Sequence, residues 1–460
     1  MSSTQCHTER RVRLQKQMEG GLLLLLGNDE SPMNYRDNAY PFRQDSTFLY
    51  FSGINRPGCA IVIDLDEGRT TLFADDATVD DLVWTGPLPR VQEFASSAGI
   101  ADSARFHALG DVLRKAQSAG RPIHFLPPYR AEHRILLHDL LGLSLKGQSA
   151  AVSVPFIRAV SELRIRKSAE EVAEIERAVN TSVDMHFEAM AMARPGMKES
   201  DIAGRMTEMA IAAGGGLSYP VIATVHGEVL HNHDYTHTLK PGQLFLLDAG
   251  AETASGYAGD LTTTFPIAPT FTSRQRDIHN LVLKAFLDAV DALKPGVPYR
   301  EIHLMACRTL AGGLKDLGLM KGNVGDAVDL GAHALFFPCG LGHLMGLDVH
   351  DMENLGEVWV GYQGRPKSTL FGLKSLRLAR ELEECFVLTV EPGIYFMPGV
   401  IDRWKGEGRF LDYINYEALD AYRDFGGLRI EEDFLITANG RRLLGRPKPR
   451  TVEELEAHRS

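Results

Sequence analysis

Two stretches of the chain repeat one plan at an offset of 100 residues, and that repeat restricts the fold more than any other feature. Pro195-Gly196-Met197 and Pro295-Gly296-Val297 each stop a helical stripe, and Ile202 and Ile302 each open the next one. The first stripe is Val172, Ile175, Val179, Val183 and Phe187, spaced by three and four residues behind a Ser168/Glu171 capping box. The second is Leu283, Phe286, Leu287 and Val290. Each half then enters apolar strands that close on an acid with glycine two residues on, Asp248-Ala249-Gly250 and Glu391-Pro392-Gly393. One Pro-Gly after a helix is a common stop. Several matches in the same order predict a duplicated α+β unit. A duplication puts a site between its halves, with each half expected to supply equivalent ligands.

The repeat leaves the first third of the chain outside it. With 460 residues, about three times the common domain size, the chain has room for a second domain. Ala60–Asp64 and Thr70–Phe73 flank an Asp66-Glu67-Gly68 turn and read as a hairpin. Ile123–Leu126 is a further strand, closed by Pro127-Pro128. The texture changes near residue 155. The expected division is an accessory α/β domain over residues 1–155 and a duplicated catalytic unit over 156–460.

The pure leucine run Leu22–Leu26 is far short of the roughly 20 residues of a spanning helix, and it lacks an apolar signal region. It reads as a buried strand. The cysteines Cys6, Cys59, Cys307, Cys339 and Cys385 are scattered and odd in number, which argues against a disulfide framework and for a reducing, cytoplasmic compartment. Lys plus Arg is 49 against 60 for Asp plus Glu, a formal charge of −11. That balance disfavours nucleic acid and anionic membrane as partners.

Five side chains carry the chemistry. Asp248 closes the apolar run Leu244–Leu247, and Asp260 precedes Leu261-Thr262-Thr263-Thr264, so a hairpin would bring the two carboxylates together. His343 and His350 lie in Gly340-Leu341-Gly342-His343-Leu344-Met345-Gly346-Leu347-Asp348-Val349-His350-Asp351, about two turns apart if that segment is helical. Glu391 follows Phe386–Val390. In Leu428-Arg429-Ile430-Glu431-Glu432-Asp433, strand alternation puts Arg429 and Glu431 on one face, with Glu432 and Asp433 expected on a solvated edge. Asp248, Asp260, His343, Glu391 and Glu431 together suit two divalent cations, Mn²⁺ first, with Zn²⁺, Co²⁺ and Fe²⁺ as alternatives. Without cations, four convergent carboxylates would raise one another's pKa.

In the order and spacing of these five residues the chain resembles the pita-bread metallopeptidases over roughly residues 160–450. Phe371–Arg377, Val387–Phe396, Gly426–Asp433 and Arg450–Glu454 are similar to the C-terminal part of its prolidase branch. Arg43–Ser46, Phe48–Gly53 and Pro57–Ala60 resemble the N-terminal domain shared by prolidases and aminopeptidase P.

The resemblance implies an α+β fold, a duplicated pita-bread domain behind an N-terminal α/β domain of creatinase/prolidase type. It also implies roles. Asp248 binds one ion, Asp260 and Glu431 bridge both, and His343 and Glu391 complete the other. Glu391 doubles as the proton shuttle for a metal-bridging hydroxide. His231 and His350 contact the reaction intermediate, Arg429 supports the ligands, and Arg377 takes the substrate's C-terminal carboxylate. The implied activity is hydrolysis before proline in Xaa-Pro dipeptides. The alternative is release of the N-terminal residue from longer Xaa-Pro peptides. An alternative of another class is a binding protein that keeps the shell without catalysis, and a non-peptide substrate such as an organophosphate is a further one. Relatives form dimers or tetramers, in which Asp45 would approach a neighbour's site or bond its own backbone. The family's His-Gly-Leu-Gly-His reads Cys339-Gly340-Leu341-Gly342-His343 here.

Overall fold

The computed structural model of the chain describes residues 3–459. It divides into two units. One runs to Arg164 and adds Met352–Val360; the other takes Ile165–Asp351 and the chain from Gly361 onward.

The first unit is built on a mixed five-stranded sheet of β1 (Leu22–Leu26), β2 (Ala60–Asp64), β3 (Arg69–Phe73), β4 (Asp102–Ala104) and β5 (Ile123–His124), in the order β4-β3-β2-β1-β5. The leucine run is an interior strand between β2 and β5, and Leu22 to Leu25 are no more than 2% exposed. β1 pairs antiparallel with β2 and parallel with β5, and the expected β2–β3 hairpin is present. Leu22, Leu24 and Val62 pack with Leu109 and Leu113 of the Ala108–Ser118 helix. Asp45 caps the Ser46–Ser52 helix by accepting the Phe48 N–H at 2.8 Å.

The second unit shows the repeat as structure. Ser168 and Glu171 form a capping box at the head of the Ala169–Met192 helix, and Thr272 and Gln275 do so for Ser273–Ala292. After each helix the Pro-Gly turn enters the same pair of backbone bonds. Gly196 N–H donates to Leu239 O (3.0 Å) and Leu239 N–H to Met197 O (2.8 Å); Gly296 donates to Leu382 (2.8 Å) and Leu382 to Val297 (2.9 Å). Positions 239 and 382 differ by 143, as do Asp248 and Glu391, so these two acids are internal counterparts. Cys385 holds a left-handed turn (φ 68°) at the counterpart of Gly242 (φ 85°).

The remaining strands are β6 (Gly216–Leu217), β7 (Ile222–Thr224), β8 (Leu244–Asp248), β9 (Ala251–Glu252), β10 (Thr262–Pro266), β11 (Val387–Val390), β12 (Gly393–Tyr395), β13 (Gly427–Arg429), β14 (Glu432–Thr437) and β15 (Gly440–Leu443). They form the sheets β10-β8-β7 and β11-β14-β15 and the pairs β12-β13 and β6-β9. Asp248 faces Thr262, and Val390 faces Glu432, so the register places Glu391 against Glu431. Thr262 is therefore the counterpart of Glu431. These two residues also bridge one another, so the internal pseudo-twofold axis passes between them.

A buried ion pair anchors the chain next to His350. Lys167 Nζ lies 2.8 Å from Asp351 Oδ2, with both side chains 1% exposed. Removing one member strands the other charge in the interior. Asp351→Ala is expected to destabilise the protein by about 3–5 kcal/mol, read as a lower urea midpoint; an unchanged midpoint would refute this.

Candidate metal centre

The strand ends converge on one cavity of about 640 Å³. Asp248 reaches it from the end of β8, Asp260 from the turn before β10, Glu391 from the end of β11 and Glu431 from the break between β13 and β14. His231, His343, His350, Arg377 and Arg429 line the same cavity, as does Cys339. Every residue singled out in the sequence for a site role is thus brought together. Ligand-type atoms of Asp260, His343 and Glu431 all lie within 4.8 Å of one another.

The sequence expectation of equivalent ligands from both halves holds for one pair only. Asp248 and Glu391 are counterparts. Asp260 instead corresponds to Arg429, Glu431 to Thr262 and, through the pairings of Thr224 with Leu246 and Leu344 with Leu388, His343 to Thr224. The duplication preserved the backbone and let the side chains diverge.

His343 is fixed from three sides. Its Nδ1 lies 3.0 Å from the Leu344 carbonyl, its backbone N–H donates to Thr389 Oγ1 (3.2 Å), and Thr389 N–H donates to its carbonyl (3.0 Å). A donor bond from Nδ1 leaves Nε2 for the carboxylates, 3.3 Å from Asp260 Oδ2 and 3.6 Å from Glu391 Oε1. Gly342 lets this segment pass close to β11; a Cβ there would sit 2.2 Å from the Thr389 carbonyl oxygen. The segment carrying both histidines is not helical, so the seven-residue spacing is not two helical turns. A glycine-rich loop folds the rings together instead, edge to face at 4.4 Å.

β13 and β14 correct the reading of one continuous last strand. Ile430 and Glu431 separate them. Arg429 and Glu431 nonetheless turn to one side, because both address Thr262. Arg429 Nε donates to Thr262 Oγ1 at 3.0 Å, and that hydroxyl donates to Glu431 Oε2 at 2.6 Å. Arg429 also donates to Tyr395 Oη (2.8 Å) and to Asp248.

The electrostatics are those of crowded anions. Burial, with Asp260, Glu391 and Asp248 nearby, pushes the Glu431 carboxyl far above the ordinary range. Burial pushes Glu391 up to about 7 against the opposing charges of His343 and Arg429. Asp248 is raised by burial despite Arg429. Asp260 is the exception. Burial would raise it, but the His343 bond and charge, with Tyr219, hold it below the ordinary value. Burial would lower His343, and Asp260 and Glu391 raise it instead. The Cys339 thiol is pushed by burial up to about 12, so it is no anionic ligand at neutral pH. A donor set of carboxylate oxygens and one imidazole nitrogen, destabilised by its own charge, fits divalent cations of the Mn²⁺ type.

Sequence reasoning missed several partners. The Tyr219 hydroxyl lies 2.6 Å from Asp248 Oδ1 and 2.5 Å from Asp260 Oδ1, with a single proton to give. Tyr219 and Tyr395 carry no local signal, because tertiary approach alone joins them to acids far along the chain. His233, Lys367 and Lys374 also line the cavity. The expected solvated edge at Glu432 and Asp433 is overturned. They are 2% and 0% exposed, with Lys448 and Arg450 from the C-terminal segment 3.8 and 3.2 Å from Glu432.

The profile of Metallopeptidase family M24 matches residues 173–438, which hold all five candidate ligands. The chain belongs to this family. It is therefore a metallopeptidase, of a kind that works with divalent metal ions. The profile of the Aminopeptidase P, N-terminal domain matches residues 7–124. The M24 chain is 31% identical to the Xaa-Pro dipeptidase of Homo sapiens over 451 residues, 95% of this chain and 88% of that one. It is 30% identical to the Xaa-Pro aminopeptidase of Escherichia coli over 99% of this chain and 97% of that one. Among solved structures it resembles Pseudomonas aeruginosa aminopeptidase PepP (TM-score 0.81, 27% identity, 99% and 98% covered). A zinc-substituted E. coli aminopeptidase P in complex with product is similar to it as well (TM-score 0.81, 30% identity, 99% and 98% covered).

The raised carboxyl of Glu391 sets a pH dependence in chelated protein. A carboxyl with a higher pKa folded than unfolded stabilises the fold fully below its unfolded value. That contribution is lost as pH rises towards about 7. Between pH 5 and 7 wild type is expected to lose about 1 kcal/mol per unit more than Glu391→Gln, measured by denaturant unfolding in EDTA; parallel profiles would refute the assignment.

Proposed function

We propose that this M24 peptidase is a dinuclear-metal Xaa-Pro dipeptidase that hydrolyses the bond before proline. Asp248, Asp260, His343, Glu391 and Glu431 would hold two divalent cations, Mn²⁺ first; such ions, once bound, would supply an acidified water and Lewis acidity toward a carbonyl. Glu391 would take the proton from the water and give it to the proline nitrogen as the C–N bond breaks. His231 and His350 donate to the oxygen on which negative charge develops. Arg429 keeps Asp248 and, through Thr262, Glu431 in position. Arg377 offers a bidentate fork to the substrate's C-terminal carboxylate.

The observation that carries the reading is the presence of Arg377 in the same cavity as the acids and histidines. A cation there meets the carboxylate of a dipeptide, whereas a longer chain continues past it as a neutral amide. The curated Xaa-Pro dipeptidases support the same substrate class. A second reading, an aminopeptidase acting on longer Xaa-Pro peptides, is favoured by the near-complete match to aminopeptidase P structures. The scattered cysteines, odd in number, support a reducing, cytoplasmic compartment.

Mn²⁺-loaded protein is expected to cleave Ala-Pro well and Ala-Pro-Ala poorly, read by release of free alanine. Cleavage of the tripeptide alone would reject the dipeptidase and keep the aminopeptidase. Glu391→Gln is expected to lower kcat by about 10²–10⁴-fold. Dialysis against EDTA is expected to abolish turnover and Mn²⁺ to restore it; activity that survives chelation would sink both readings.

A further inference from the structure

Behind the cavity, two buried titratable side chains hold the two ends of the short segment that carries Asp260. Asp433 is 0% exposed, and its Oδ2 accepts the backbone N–H of Asp260 at 3.1 Å. Lys448 is 4% exposed, and its Nζ donates to the backbone carbonyl of Thr262 at 2.9 Å. Between these grips lie the Asp260 carboxylate and the Thr262 hydroxyl, the one beside His343 and the other bonded to Glu431.

The internal repeat supplies a control for the first grip. Asp433 is the counterpart of Thr264, and Asp260 of Arg429. In the other half the same bond is made by a neutral group, Arg429 N–H to Thr264 Oγ1 at 3.2 Å, and Thr264 closes it by donating to the Arg429 carbonyl at 3.0 Å. A side-chain acceptor at this position is thus common to both halves. The segment after the last strand adds the second grip through Lys448, whose ammonium lies 3.8 Å from Glu432. Neither Asp433 nor Lys448 lines the cavity, so neither is placed to meet substrate.

We infer that Asp433 and Lys448 are positioning residues, a two-point clamp on residues 260–262 that sets the Asp260 carboxylate against His343 and Glu431 and thereby fixes the affinity of the centre for divalent cations. The inference rests on the metal-centre reading above. Loss of an outer partner of a ligand weakens metal binding about 10–100-fold in centres of this kind. Both acceptor and donor are needed, but neither requires charge at the point of contact. Asn in place of Asp433 keeps an acceptor for the Asp260 N–H, and Gln in place of Lys448 keeps a donor for the Thr262 carbonyl.

The test is calorimetric titration of the chelated full-length chain with Mn²⁺, with thermal unfolding recorded on each variant. Asp433→Val and Lys448→Met are expected to bind Mn²⁺ about 10–100-fold more weakly than wild type. Asp433→Asn and Lys448→Gln are expected to stay within about threefold of it, and they keep the test valid should the apolar variants fail to fold. Apolar variants that bind as tightly as wild type would overturn the clamp. So would Asn and Gln variants that lose affinity by tenfold or more while remaining folded. A wild type that binds no Mn²⁺ would instead overturn the metal-centre reading itself.

Discussion

The mutual repulsion of four carboxylates in one cavity is the constraint on which the rest of the second unit depends. Asp248, Asp260, Glu391 and Glu431 come from four separate strand ends, and all but Glu391 are nearly fully buried. Unpaired charges in such a place are expensive. The surroundings respond in a graded way. Arg429 lies against Asp248, His343 lowers Asp260, Thr262 donates to Glu431, and Tyr219 offers one proton to two acids. These contacts still leave Asp248, Glu391 and Glu431 with raised affinity for protons. The remaining like-charge repulsion is what bound divalent cations relieve in a metallopeptidase.

Much of this was legible in the sequence because it depended on local pattern. Capping boxes, helix stripes and Pro-Gly stops are short-range, and they located the long helices and the repeat. Asp248 and Glu391 at the ends of apolar runs were legible only as members of a set: a lone strand-end aspartate is more often a turn or cap, and the five residues together pointed to cations. What stayed hidden depended on tertiary approach. Tyr219 and Tyr395 are ordinary tyrosines until strands far along the chain deliver Asp248 and Arg429 to them. Glu432 and Asp433 looked like a wet edge because their cations, Lys448 and Arg450, lie well downstream in a segment with no pattern of its own. The histidine loop defeated a spacing argument for a related reason: glycines permit a path that no helical or strand period describes.

The repeat also shows how little symmetry a duplicated backbone imposes on chemistry. Backbone bonds at Gly196 and Gly296 agree closely, and Gly242 and Cys385 take the same left-handed turn although only one is glycine. Of the five candidate ligands, only Asp248 and Glu391 correspond. The scaffold tolerates this because strand pairing is made by main chain, whereas the residues that face the cavity answer to one another.

The bridge between Thr262 and Glu431 shows what joining two copies in one polypeptide made available. In a dimer of identical half-length chains, the two residues facing each other across the axis would have to be the same. Two glutamates would press like charges together, and two threonines would leave no carboxylate for a cation. A single chain can place a hydroxyl on one side and a carboxylate on the other, so that the first donates to the second at 2.6 Å. Covalent linkage of the two halves thus permits a matched donor and acceptor where two identical chains would be held to identity.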